Sequence, residues 1–288
     1  MVMIRVPATS ANLGPGFDSL GLAVSLYLTV EIIEEVEYWE IEHQLGKAIP
    51  QDDTNLVIQT ALKLAPNLTP HKLLMKSDIP PARGLGSSSA AIVAGIELAN
   101  HIGNLEMTKD EKIQFAAKIE GHPDNILPAI LGDFTVGTML GEQVIWTQST
   151  FPEAGLLITI PNRELLTTES RSVLPGSLPF SESTRGSSIA NVLVSAVHQG
   201  DLVQAGFLME QDLFHEPYRS ELIPELNKIR GIAHEEHAYG TYLSGAGTAV
   251  LTLLPVDKIP VFKERVQELY PDYTLLQTTI ERMGSMFV

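Results

Sequence analysis

Hydrophobic positions in this chain recur with two periods that alternate from one end to the other. A period of two over Leu26–Glu34 (LYLTVEIIE) and Tyr38–Glu42 predicts strands, as does Leu73–Lys76. Helical spacing marks Asn55–Leu64 and the run after Ser89, where Ile92, Ile96, Ala99 and Ile102 share a face. Lys109–Glu120 is a further amphipathic helix that stops at Gly121. Gly132–Met139 and Gln143–Gln148 read as a hairpin turning at Leu140–Glu142. Near Thr150–Pro152 the pattern restarts with an apolar strand, Gly155–Ile160, which divides the chain into residues 1–150 and residues 151–288. A Ser- and Pro-rich mobile connection, Ser172–Thr184, then precedes helices around Ile189–Val197 and Leu202–Leu213. A closing αβ pattern runs from Glu221 to Thr279. The expectation is a mixed α/β or α+β chain without internal repeats.

Composition narrows the function classes. The 288 residues are 44% hydrophobic and 19% charged, as in a globular protein, and no apolar run reaches the roughly 20 residues of a membrane helix. The opening MVMIRVPATSANLG carries no apolar export signal, so a cytoplasmic location is expected. The absence of cysteine excludes disulfides, thiol catalysis and cysteine-ligated metals. A formal charge of −16 repels nucleic acid and anionic membranes at long range. An anionic ligand therefore has to be held by local dipoles and a few placed cations.

One stretch offers such dipoles. In PPARGLGSSSAA, Pro80–Ala91, two prolines fix the approach, Gly84 and Gly86 remove side chains, and Ser87, Ser88 and Ser89 open a helix. Free N–H groups at a helix start bind phosphate without any side chain. The loop lacks the GK[ST] ending of a Walker A motif, and Ser89 stands where a GxGxxG fingerprint has its third glycine. A helix cap without a ligand is the competing reading.

Three further segments have paired readings. SGAGTAV, Ser244–Val250, is a plain turn or a second backbone surface facing the first. PATSANLGPGFDSLG, Pro7–Gly21, is a capped turn or a pocket lined by Thr9, Ser10, Asn12 and Asp18. EGHPDN, Glu120–Asn125, is a helix stop, or a cluster able to hold magnesium, orient a hydroxyl or accept an ammonium group. HEEH at His234–His237 lacks the spacing of a zinc motif, and no GxSxG elbow occurs. The acidic run Glu31–Glu42 is the wet face of strands.

In this order, PATSANLGPGFD, PPARGLGSSSAA, EGHPDN and SGAGTAV resemble the GHMP small-molecule kinase superfamily, over nearly the whole chain. Threonine in Pro7-Ala8-Thr9, where mevalonate kinase-like members carry lysine, and the form NLGPGFD make it similar to the homoserine kinase family. The resemblance implies a two-domain α+β fold, its N-terminal domain containing a left-handed βαβ unit and its C-terminal domain ferredoxin-like. It also implies ATP and Mg2+, with Pro80, Pro81, Ala82, Arg83, Gly84, Leu85, Gly86, Ser87, Ser88, Ser89 and Ala90 around the ATP phosphates. Ser88 and Glu120 would hold magnesium, and Asn55 in DDTNLV would lie at the adenine. Asn12, Asp18, His122, Asp124 and Gly245 would surround L-homoserine, with the loop arginines Arg171 and Arg219 on its carboxylate.

Asn125 stands where some members carry an aspartate base, and asparagine takes no proton. The implied chemistry is direct in-line transfer aided by Glu120, Asp124 and Asn125, with Asp124 also open as a base, giving O-phospho-L-homoserine on the route to threonine. A kinase for a different small alcohol, or a nucleotide-binding regulator without catalysis, are the alternatives. Partners are small molecules rather than nucleic acid or membrane, with a homodimer left open.

Overall fold

The structure is a computed structural model and describes residues 2–288. Its first half is β1 (Val2–Ala11), β2 (Leu20–Glu35), β3 (Glu40–Glu42), α1 (Leu56–Leu64), β4 (His71–Ser77), α2 (Ser87–Ile102), α3 (Lys109–Glu120), α4 (Ile126–Leu131), β5 (Phe134–Leu140) and β6 (Gln143–Ser149). The second half is β7 (Gly155–Ile160), α5 (Thr167–Ser172), α6 (Phe180–Gln199), α7 (Leu202–Met209), α8 (Glu216–Arg219), α9 (Leu226–Glu235), β8 (Gly240–Leu243), β9 (Val250–Leu254), α10 (Ile259–Leu269), β10 (Thr274–Thr278) and β11 (Met286–Phe287).

A seven-stranded sheet has the order β11-β1-β2-β4-β3, with β5 beside β2 and β6 beside β5. β3 and β4 are parallel and α1 lies between them in sequence, which makes a βαβ unit. The β1–β2 ladder slips between Pro7 and Ala8, where proline offers no N–H to pair. The second sheet, β10-β7-β9-β8, is antiparallel throughout. Numbered within their own unit its strands run 4-1-3-2, with helices in both βαβ-type connections, which is the ferredoxin-like arrangement. β7 and β9 are buried on both faces, which explains why they read as unbroken apolar runs rather than as alternation.

The expected connection Ser172–Thr184 is shorter than its composition suggested. Ser172 ends α5 and α6 already begins at Phe180, so only residues 173–179 connect them. The first half of α6 is polar because it faces solvent, and the apolar period shows only once Leu193, Ala196 and Val197 are buried.

After β10 the chain returns to the first sheet. Asp133 donates its backbone N–H to Glu281 at 2.7 Å, Glu281 donates its own to Ala23 at 3.0 Å, and β11 pairs with β1. Arg282 donates to the Asp133 carboxylate at 2.7 Å, and that carboxylate also accepts from the N–H groups of Phe134 and Phe151. Residues 279–288 thus tie the second half of the chain to the first. No helix among the described residues is long and apolar enough to cross a membrane.

Candidate active site

The helix starts differ in how they are closed. Asn55 caps α1, Thr108 and Glu111 form a capping box on α3, and Asp201 caps α7. α2, sixteen residues long, has no side-chain cap at all, because its N-cap is Gly86 at φ +68°. Ala90 N–H is the first to find an acceptor, the Gly86 carbonyl at 2.8 Å, so the N–H groups of Ser87, Ser88 and Ser89 have no partner within the helix. These three serines line a cavity of about 260 Å³ between the two sheets. A partial positive charge is thereby turned into the cavity without lysine.

The loop before α2 is pinned from behind. Its carbonyls at Arg83, Gly84 and Leu85 accept from Ala249 N–H (2.9 Å), Ser244 Oγ (2.7 Å) and Thr9 N–H (3.2 Å). Ser10 links the same Ser244 hydroxyl (2.8 Å) to buried Tyr242 (3.0 Å). SGAGTAV is therefore both a turn and the surface on which the loop rests. A Cβ at Gly84 would stand 2.1 Å from the Ser244 carbonyl oxygen. One at Gly86 would stand 2.0 Å from Thr9 Oγ1 and 3.1 Å from Asn125 Oδ1. Gly86 is needed first for packing against β1, and not only for close approach of a phosphate.

Glu120 at the end of α3 faces the same cavity, and its Oε1 accepts from Ser89 Oγ at 2.9 Å. Its nearest hydroxyl partner is thus Ser89, which is buried, while Ser88 is exposed at the rim. Gly121, at φ +89°, turns the chain so that the next residues point inward. His122 Nδ1 lies 2.6 Å from Asp124 Oδ1, which also accepts from Asn125 N–H (2.8 Å) and Asn125 Nδ2 (3.3 Å). The hydroxyl of Thr9 donates to Asn125 Oδ1 at 2.8 Å, which fixes the amide with its NH2 end toward Asp124. Burial pushes the His122 imidazolium down, but its hydrogen bond to Asp124 and the charges of Asp124, Asp18 and Glu120 outweigh that and hold it above its ordinary value.

The turn after β1 supplies the opposite wall. Asn12, Leu13 and Asp18 all adopt positive φ, a conformation held by Asn12 Oδ1 accepting from Asp18 N–H (3.1 Å) and Asn12 Nδ2 donating to Gly245 O (3.2 Å). Asp18 takes two hydrogen bonds from Arg171, at 2.6 and 3.2 Å. Arg219 is buried; its Nε donates to Ser170 O (3.1 Å) and its Nη1 to Gly245 O (3.0 Å), while Nη2 has no partner among the described residues. Burial, then the neighbouring Arg171 charge, lower its pKa to about 10, so it stays charged at neutral pH. Both arginines sit on short helices, α5 and α8, rather than in loops: the segments are too short to show a helical period.

Of the residues expected from the sequence, Asn12, Asp18, Ala82–Ser89, Glu120, His122, Asp124, Asn125, Arg171, Arg219 and Gly245 line this cavity. Pro80, Pro81, Ala90 and Asn55 do not. Ala90 is wholly buried, and Asn55 spends its amide on Val57 N–H and the Pro50 carbonyl as the cap of α1. Asp18, His122 and Asp124 also bring potential metal-ligating atoms within 4.8 Å of one another. Sequence reasoning missed Phe17, Ala246 and the Leu165–Thr167 strip, which also line the cavity. Phe17 lay inside a motif already singled out, as an aromatic residue in a strained turn. Leu165–Thr167 gave no signal, because they take part only through the way α5 folds over the loop.

The model of the GHMP kinases N terminal domain matches residues 55–133, and that of the GHMP kinases C terminal matches residues 193–272. The homoserine kinase of Listeria welshimeri is 54% identical over 282 residues, 98% of each chain. That of Enterococcus faecalis is 50% identical over 281 residues, again 98% of each. A solved structure described as a homoserine kinase of Listeria monocytogenes superposes with a TM-score of 0.91 at 48% identity, covering 100% of this chain and 99% of its own. With the uncapped α2, the glycine turn beneath it and the EGHPDN cluster gathered in one cleft, this chain belongs to the homoserine kinase family of the GHMP kinases.

Proposed function

We propose that the chain transfers the γ-phosphoryl group of ATP to the side-chain hydroxyl of L-homoserine, giving ADP and O-phospho-L-homoserine. The observation that carries this is the meeting of two unlike surfaces in one cavity. The free N–H groups of Ser87–Ser89 suit phosphate, while Asp18, Asp124, Arg171 and Arg219 suit a zwitterion. A mevalonate-like alcohol has no ammonium group to offer Asp18 and Asp124.

In this reading the phosphates lie against the α2 N-terminus. Glu120 and the Ser88 hydroxyl fit a magnesium ion: both are oxygen donors at the cavity, and Glu120 Oε2 has no partner among the described residues. Bound there, the ion would neutralise phosphate charge. The substrate carboxylate meets Arg219 Nη2 and Arg171, and the ammonium group meets Asp18 and Asp124. The Asn125 amide, locked by Thr9, orients the hydroxyl. The hydroxyl oxygen attacks the γ-phosphorus, the bond to the β–γ bridging oxygen breaks with its electrons leaving on ADP, and the hydroxyl proton leaves with the transferred phosphoryl oxygens. Asn125 cannot take that proton, and Asp124 Oδ1 already accepts three hydrogen bonds. The Asn55 amide is engaged in capping α1, so the adenine contact expected there would be made by the turn that Asn55 anchors.

Phosphorus NMR of the reaction with ATP chirally labelled at the γ-position tests this reading. One new phosphomonoester with inverted configuration is expected. Retention would mean a phosphorylated enzyme intermediate and would overturn direct transfer.

A further inference from the structure

Two cations share one aromatic ring in this site. The guanidinium carbon of Arg171 is 5.3 Å from the Phe17 ring centroid and that of Arg219 is 5.6 Å from it. The ring is stacked on His215, centroid to centroid 5.5 Å at 28°. His215 is itself fixed, with Nε2 donating to the Gly14 carbonyl at 3.0 Å, which leaves Nδ1 to accept from Arg219 Nη1 at 3.0 Å. A histidine held by a carbonyl of the same turn thus backs the ring, and the ring faces both positive charges.

The two arginines are held unequally. Arg219 is anchored by the Ser170 and Gly245 carbonyls and by His215, whereas among the described residues the Arg171 side chain donates hydrogen bonds to Asp18 alone. If the substrate ammonium claims Asp18, Arg171 loses that partner as the carboxylate arrives. The charges of Arg171 and Arg219 also repel, and the depressed proton affinity of Arg219 records this in part. What keeps Arg171 beside Arg219 at that moment is the electron-rich face of Phe17.

We propose that Phe17 is the positioning residue for carboxylate recognition: it holds Arg171 and Arg219 as a pair and so makes the site selective for an amino acid over an amino alcohol. The proposal rests on the reading that L-homoserine is the substrate. It predicts a role in binding one end of one substrate, with no part in phosphoryl transfer.

Steady-state kinetics of Phe17→Leu and Phe17→Tyr would decide it, using L-homoserine and its decarboxylated analogue 3-aminopropan-1-ol, with ATP varied in parallel. Phe17→Leu should raise the KM for L-homoserine roughly ten- to thirtyfold, leaving kcat and the KM for ATP within about twofold. Phe17→Tyr, which keeps the ring, should restore the wild-type KM, and the analogue should react equally with wild type and Phe17→Leu. Equal losses on both alcohols, a Tyr variant as impaired as the Leu variant, or an unchanged KM would each overturn the platform. A second readout is independent of turnover. The arginine Nε–Hε resonances of Arg171 and Arg219 should lose a ring-current shift in Phe17→Leu and keep it in Phe17→Tyr, and shifts indifferent to the ring would also overturn it. Failure of wild type to phosphorylate L-homoserine would instead sink the substrate reading, with the resonances still deciding the platform.

Discussion

Arg171 and Arg219 look equivalent as letters, but their surroundings predict different phenotypes. Removing a charge-assisted contact costs on the order of 1.5–3 kcal/mol, or roughly ten- to a hundredfold in affinity. Arg171→Ala should show that loss in the KM for L-homoserine with little change in Tm, since its side chain is about a third exposed. Arg219→Ala should lose both substrate binding and stability, because it strands the buried carbonyl of Ser170 and leaves that of Gly245 with Asn12 as its remaining donor. Thermal melts beside kinetics check the contrast. Glu120→Gln should keep the fold but lower kcat by about a hundredfold or more if the carboxylate holds magnesium. Near-normal turnover would remove Glu120 from that role.

His122 adds a pH dependence whose sign follows from its raised folded-state pKa. Its pairing with Asp124 stabilises the protein fully below the ordinary histidine value of about 6.5. That contribution disappears as pH rises through the folded value. Urea unfolding of wild type and His122→Gln across this range should show the stability difference shrinking as pH increases. A difference that grows with pH would refute the pairing.

Among elements, α2 carries the most function, and the glycines before it and after α3 separate packing from strain. Gly121, at the end of α3, has positive φ but nothing within 4 Å of an added Cβ, so Gly121→Ala should cost about 1–2 kcal/mol of strain. Gly84→Ala and Gly86→Ala add steric overlap with Ser244 and Thr9 to the same strain and should cost clearly more. Gly86→Ala should also impair turnover by displacing Asn125 through Thr9. Denaturant titration of the three variants ranks them.

α2 and α3 were legible from the sequence because each has a clear apolar period and a defined stop, and the α3 bounds match residue for residue. The start of α6 was not legible, because a solvent-facing half-helix has no apolar stripe to betray it. Most of the cavity lining was legible through glycines, since positive φ and close backbone approach restrict residue choice strongly. The hydrogen bond from Ser89 to Glu120 was not, because which serine of three faces inward depends on the rotation of α2 against α3.

At the scale of the molecule, the site exists because the two halves are tied together twice. The Ser10–Ser244–Tyr242 hydroxyls fasten the second sheet to β1, and residues 279–288 return to the first sheet through Asp133 and Arg282. That closure was not readable from sequence periodicity, which sees elements and not their partners. It brings together the uncapped start of α2 from one half and arginines from the other. If both substrates are read in this one cavity, ADP formation by the purified chain should depend on which alcohol is offered, with L-homoserine, mevalonate and shikimate tried in turn. ADP release is expected only with L-homoserine, in step with formation of its phosphate ester. ADP release that is indifferent to L-homoserine, or equal with mevalonate or shikimate, would contradict it.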